Sequence, residues 1–128
     1  MPHLTVEYSA NLDGSVDFNA LCRELLQALL DSGLVERGAP RVRAIRCDAY
    51  AIADELPENS FIDMSLRLGA GRSQDEKRNL GEALIAAARP LLADQFAQPH
   101  FALSLEVREI DPDLSWKLNT MHARLRAQ

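Results

Sequence analysis

No stretch of this sequence approaches the roughly 20 consecutive apolar residues that a membrane-crossing helix needs, and the amino terminus lacks the basic region and apolar core of a secretory signal. Both gaps point to a cytoplasmic protein with no membrane partner. Cysteine is scarce: Cys22 and Cys47 are the only two, with no CxxC and no Cys/His spacing that would hold a metal. Cys22 falls on an expected helix core face and reads as a small buried apolar residue, and Cys47 as an ordinary strand residue. Basic charge is also short, with 14 Lys and Arg against 19 Asp and Glu and a net charge of -5. That excess of acid argues against nucleic acid as a partner, since such binding needs a basic face. An acidic chain still binds a small anion where a few arginines converge. There is no Gly-rich phosphate loop, no nucleophile elbow and no HExxH pair, so nothing in the sequence asks for a metal or an organic cofactor.

What is present is the composition of a folded protein, 47% apolar and 26% charged over 128 residues. That is the length of one domain with one core. Leu4, Val6 and Tyr8 alternate with His3, Thr5 and Glu7, the period of a half-buried strand. After a turn cluster at Asn11–Ser15, Asp17 can cap a helix on which Phe18, Leu21, Cys22, Leu25, Leu26, Leu29 and Leu30 form one stripe, ended by Gly33. A second strand is expected from about Arg41 to Tyr50. The second half repeats this plan. Phe61–Leu68 alternates as a strand, and Gly69-Ala70-Gly71 breaks it. Ser73 and Glu76 form a capping box for a helix that Pro90 should kink or break, and Phe101–Val107 alternates again.

The order is β-α-β twice, in halves of about 1–57 and 58–128. Strands joined by such a helix pair in parallel with a right-handed crossover. The expected fold is therefore an α/β two-layer sandwich, a four-stranded sheet with two helices on one face. The other face would be bare in a monomer, with Leu4, Met64 and Phe101 choosing sides, so a homo-oligomer is expected.

Pro2 becomes a secondary amine if Met1 is removed, since its side chain is small enough for that processing. An α-amine titrates near 8; burial and neighbouring cations pull it toward neutrality, where it can shuttle a proton. By itself, a Met-Pro start says little.

The context is more specific. Pro2-His3-Leu4-Thr5-Val6-Glu7-Tyr8-Ser9, Gly69-Ala70-Gly71-Arg72-Ser73 leading into Glu76 and Lys77, and Ser115-Trp116-Lys117-Leu118-Asn119-Thr120-Met121-His122-Ala123 together resemble the 5-carboxymethyl-2-hydroxymuconate Δ-isomerases, members of the tautomerase superfamily with an amino-terminal proline. The Gly-Arg-Ser-x-x-Glu-Lys stretch also resembles the strand-to-helix turn of the smaller 4-oxalocrotonate tautomerases (4-OT), whose single β-α-β unit corresponds to each half here. The resemblance implies a tautomerase-like fold, a homotrimer, and a cofactor-free isomerase of homoprotocatechuate catabolism acting on a small carboxylated dienol. It makes Pro2 the general acid/base, Arg72 the ligand of a substrate carboxylate, and Arg41 the partner of the 2-hydroxy/2-keto end. Arg43, two residues on, is the alternative to Arg41. Tyr8 is a candidate second donor, and His3 alternates away from Pro2. His100 reads as ordinary, Trp116 and His122 as residues that pack against a neighbouring subunit, and Arg124-Leu125-Arg126 as a solvated tail. Two rivals stand beside this reading: another proline-dependent reaction on the same scaffold, and a non-catalytic anion-binding trimer.

Overall fold

The structure is a computed structural model that describes all 128 residues. Its strands are β1 (His3–Ser9), β2 (Arg41–Cys47), β3 (Ser60–Gly69) and β4 (Phe101–Ile110), and its two long helices are α1 (Phe18–Asp31) and α2 (Gln74–Ala88). A short helix, α3, covers Ala93–Phe96, and a last one, α4, covers Met121–Arg126. The sheet order is β2-β1-β3-β4. Each half contributes a parallel pair, β1 with β2 and β3 with β4, and the halves meet where β1 runs antiparallel to β3.

Local chemistry sets the element boundaries. The Asp17 carboxylate accepts the Ala20 amide at 3.0 Å and starts α1. The expected capping box forms at α2: Ser73 Oγ accepts from the Glu76 amide at 3.1 Å, and Glu76 Oε1 accepts from the Ser73 amide at 2.8 Å. These bonds satisfy amides that a helix start otherwise leaves orphaned. Pro90 acts as its missing N–H requires. The α-helix stops at Ala88, a 3-10 turn spans Arg89–Leu92, and α3 follows. β2 is shorter than the expected span of about Arg41–Tyr50, ending at Cys47. The chain then enters a loop in which Ala53 and Glu55 take positive φ, and the Asn59 side chain ties Ile52 and Asp54 together.

One core joins both halves. Leu4 and Val6 of β1 and Ile62, Met64, Leu66 and Leu68 of β3 are buried against Leu21, Leu25 and Leu29 of α1 and Leu80, Leu84 and Ala88 of α2. Leu4 and Met64 thus face the helices, and Phe101 packs on the same side, edge-on to Phe96 with ring centroids 5.2 Å apart. Cys22 lies at the edge of the α1 stripe, half-buried, and burial raises its thiol pKa.

The sheet face away from the helices is mainly polar, with Ile45 exposed on it beside Glu7. Register places Arg41, His3, Arg67 and Arg108 in one row across all four strands, with Glu7 opposite Asp63 further along. No helix of the chain is long and apolar enough to cross a membrane.

Candidate active site

Pro2 is buried immediately before β1. Its carbonyl accepts the Arg41 amide at 3.0 Å, which ties the first residues of β1 and β2 together. Arg41 is paired with His3 across this parallel ladder. Its guanidinium turns back on its own loop and donates to the carbonyls of Gly38 and Ala39.

Arg72 arrives from the other half. Gly71 precedes it with φ +114°, a conformation that side chains rarely adopt, and this turns the chain from β3 toward α2. Arg72 Nη1 donates to Gly69 O at 3.0 Å, while Nε and Nη2 donate to Leu34 O at 3.2 and 2.7 Å. Three of the five guanidinium N–H groups therefore hold backbone carbonyls, and two remain for a ligand.

The residues after β4 close over this corner. Asn119 Nδ2 donates to Gly38 O at 2.9 Å and to Met1 Sδ at 3.3 Å. Helix α4 docks beside it, with His122 Nδ1 buried 3.4 Å from Glu36 Oε2 and Arg126 Nη2 donating to the same carboxylate oxygen at 2.8 Å. A Cβ on Gly38 would lie 3.0 Å from His122 Nδ1 and 3.3 Å from Leu125 Cδ1, so a side chain there would push on the docked helix by a few tenths of an ångström.

Electrostatically the corner is a nest of cations around the terminal amine. The pKa of the Met1 amino group lies below the ordinary α-amine value, first because burial disfavours the ammonium, then because Lys117, Arg72 and Arg41 repel it. No carboxylate forms an ion pair with Arg41, Arg72 or Lys117. Such an arrangement can hold an anion with several carboxylates while keeping an adjacent amine unprotonated.

The structure thus brings the first residues, Arg41 and Arg72 together from three segments. Arg43 goes elsewhere: its Nη1 donates to His3 Nδ1 at 3.2 Å on the open sheet face. Burial first, then Arg43, Arg67 and Arg41, lower the pKa of His3, favouring its neutral form. Tyr8 lies away from this corner of its own chain. It stacks on Phe18 with centroids 3.6 Å apart, and at about 3.3 Å per residue it lies roughly 20 Å along the strand from Pro2. The ending is solvated at Arg124 and Arg126, as expected, but it is helical, with Leu125 packed at Gly38 and Arg126 paired with Glu36 at the surface. Lys117, Asn119 and Glu36 are the neighbours that sequence reasoning passed over. Lys117 and Asn119 lie in the Ser115–Ala123 landmark, which carried no role for them, and Glu36 had no signal.

This fold is that of the tautomerases: the solved structure of a fused 4-OT aligns over 91% of this chain and 93% of its own, with a TM-score of 0.66 at 16% identity. Within that class the chain belongs to the 5-carboxymethyl-2-hydroxymuconate isomerase family, whose model matches residues 2–125. It is 31% identical to the 5-carboxymethyl-2-hydroxymuconate Delta-isomerase of Escherichia coli over 96% of this chain and 98% of that one. The crystal structure of a 5-carboxymethyl-2-hydroxymuconate isomerase from Deinococcus radiodurans R1 superposes with a TM-score of 0.91 at 38% identity, covering 98% of this chain and 94% of the other.

Proposed function

We propose that this chain isomerises 5-carboxymethyl-2-hydroxymuconate to the conjugated ketone, with the amine of Pro2, freed by removal of Met1, as the single acid/base. The observation that carries the reading is that Lys117, Arg72 and Arg41 all act on the amine of Met1, next to Pro2, and that none of the three has an acidic partner. Family membership supplies the substrate.

The reaction needs only a proton moved and bonds shifted. The amine takes the proton of the 2-hydroxyl, and the O–H electrons form the C2=O bond. The C2=C3 pair moves to C3=C4, and the C4=C5 pair takes the proton back from the ammonium at C5. The base ends as it began, so neither oxidant nor cofactor enters the balance. The amine must start unprotonated, which burial and the surrounding cations favour. Arg72, with two N–H groups still free, holds one carboxylate through charge-assisted bonds. Arg41 lies at the 2-hydroxy end and draws electron density along the conjugated system as the ketone forms. With Met1 attached, the Pro2 nitrogen is an amide with no basic lone pair, and this chemistry stops.

A homotrimer fits the surface. Trp116 is 84% exposed and Leu118 fully exposed, beside the corner that holds Pro2. Neighbouring subunits covering this segment would wall the pocket and bury that apolar area. The setting is the cytoplasmic breakdown of homoprotocatechuate.

The test is to follow 5-carboxymethyl-2-hydroxymuconate by ultraviolet absorbance with protein whose intact mass shows loss of Met1. Rapid formation of the conjugated ketone without added cofactor is expected. A rate equal to buffer overturns the reading and favours another reaction on this scaffold or an anion-binding role.

A further inference from the structure

We propose that Lys117 is a specificity-determining residue of this site, binding the carboxylate of the substrate's carboxymethyl branch while the two arginines take the muconate backbone. The inference rests on the isomerase reading above and says which part of the substrate this lysine recognises.

The first argument is placement. Lys117 belongs to a segment without regular structure, yet that segment is anchored. Asn119, two residues on, donates to Gly38 O at 2.9 Å, the same carbonyl that accepts from Arg41 at 3.4 Å. One backbone carbonyl thus fixes both the segment of Lys117 and the guanidinium of Arg41. Helix α4 holds the far side through Glu36, which pairs with Arg126 and has His122 Nδ1 3.4 Å away. The Asn119–Gly38 bond does not involve Met1 and remains when Met1 is removed. Asn119 itself donates to Met1 Sδ at 3.3 Å, so the segment lies against the first residue, and after burial the charge of Lys117 acts on the Met1 amine ahead of those of Arg72 and Arg41.

The second argument is charge. The substrate carries three carboxylates, two terminal and one on the branch. A proline that acts as base rests neutral and offers no cation. Arg41 and Arg72 supply two positive charges, so one carboxylate stays unmatched unless another cation is present. Lys117 is that cation, and like the arginines it has no acidic partner. Its chemistry suits the branch. A methylene-linked carboxylate rotates freely, and a lysine ammonium on a flexible stem follows it with rotatable donors. A planar guanidinium fits the fixed carboxylates of a conjugated diene better.

The experiment compares wild type, Lys117→Met and Lys117→Arg on two substrates, the trianion and 2-hydroxymuconate, which lacks the branch. Wild type should prefer the trianion, and Lys117→Met should lower that preference, read as the ratio of kcat/KM values, by about tenfold to a hundredfold. Lys117→Arg should restore most of it. Equal losses on both substrates, or an unchanged ratio, would overturn the assignment. Should wild type isomerise neither compound, the isomerase reading is what fails. Calorimetric binding of unreactive 2-(carboxymethyl)hexanedioate against hexanedioate then decides the role of Lys117. Preference for the tricarboxylate that disappears in Lys117→Met supports it, and preference unchanged by the substitution refutes it.

Discussion

Replacing Arg72 with alanine should separate two contributions of that side chain, because the structure shows one of them outright. Its guanidinium donates to Leu34 O through two N–H groups and to Gly69 O through a third. This fastens the β3–α2 turn to the loop after α1. A hydrogen bond from a charged donor contributes about 1.5–3 kcal/mol. Two of these three share one acceptor, however, and water reaches a half-buried carbonyl once the side chain is gone. The net loss of stability should therefore be about 1–2 kcal/mol, which lowers Tm by roughly 4–8 °C at this chain length. Catalysis should suffer more. Removing the charged partner of a bound carboxylate costs about 2–5 kcal/mol, and a solvent-reached corner belongs at the low end, so kcat/KM should fall about 30- to 150-fold. Arg72→Lys keeps the charge but cannot fork between two carbonyls, so it should recover activity better than stability. Differential scanning calorimetry and steady-state kinetics on the three proteins read both quantities. Arg72→Ala with lowered Tm and wild-type kcat/KM would refute the substrate role and leave Arg72 a backbone staple alone.

Burial and then Lys117, Arg72 and Arg41 lower the pKa of the Met1 amine; the Pro2 amine, one residue along the same corner, should meet the same cations, so the acid limb of the kcat/KM profile is expected below the ordinary range of an α-amine. Only the free amine is a base, so activity rises with pH through that pKa. At about 1 M salt, where screening acts within roughly 3 Å, the limb should move to higher pH; a limb insensitive to salt would count against the cations. Gly38→Ala places a Cβ 3.0 Å from His122 Nδ1. It should speed hydrogen exchange in α4 and raise KM several-fold, as the segment carrying Asn119 and Lys117 loosens. Unchanged exchange together with unchanged KM would show that α4 docking does not support the site.

The parts of this fold that repetition encodes were legible in the sequence. The alternation of Leu4 and Val6, and of Ile62, Met64, Leu66 and Leu68, marks strands with one face in the core, and those side chains are buried there. The stripe of Leu21, Leu25 and Leu29 and the caps at Asp17 and Ser73 fixed the helices. β2 ends three residues before Tyr50, where a loop anchored by the distant Asn59 takes over, a contact with no local signal. The helical form of the last residues was hidden for a related reason. Helix α4 has six residues, too few to show a period, and its contacts are with Glu36 and Gly38, far back in the chain. Contacts of that kind leave no local signature. Arg41 and Arg43 also could not be separated by spacing, since both sit on the same sheet face. The difference is that Arg41 folds back onto Gly38 and Ala39, whereas Arg43 meets His3. Lys117 was invisible as a site residue because Asn119, which anchors its segment, reaches back to Gly38.

The central claim is that the amine of Pro2 is the base, and blocking that amine tests it most directly. Protein with a free Pro2 terminus and protein still carrying Met1 should be separated by intact mass and assayed side by side on 5-carboxymethyl-2-hydroxymuconate. The account predicts turnover by the first and none by the second beyond residual processed material. Equal kcat/KM in the two forms would contradict it.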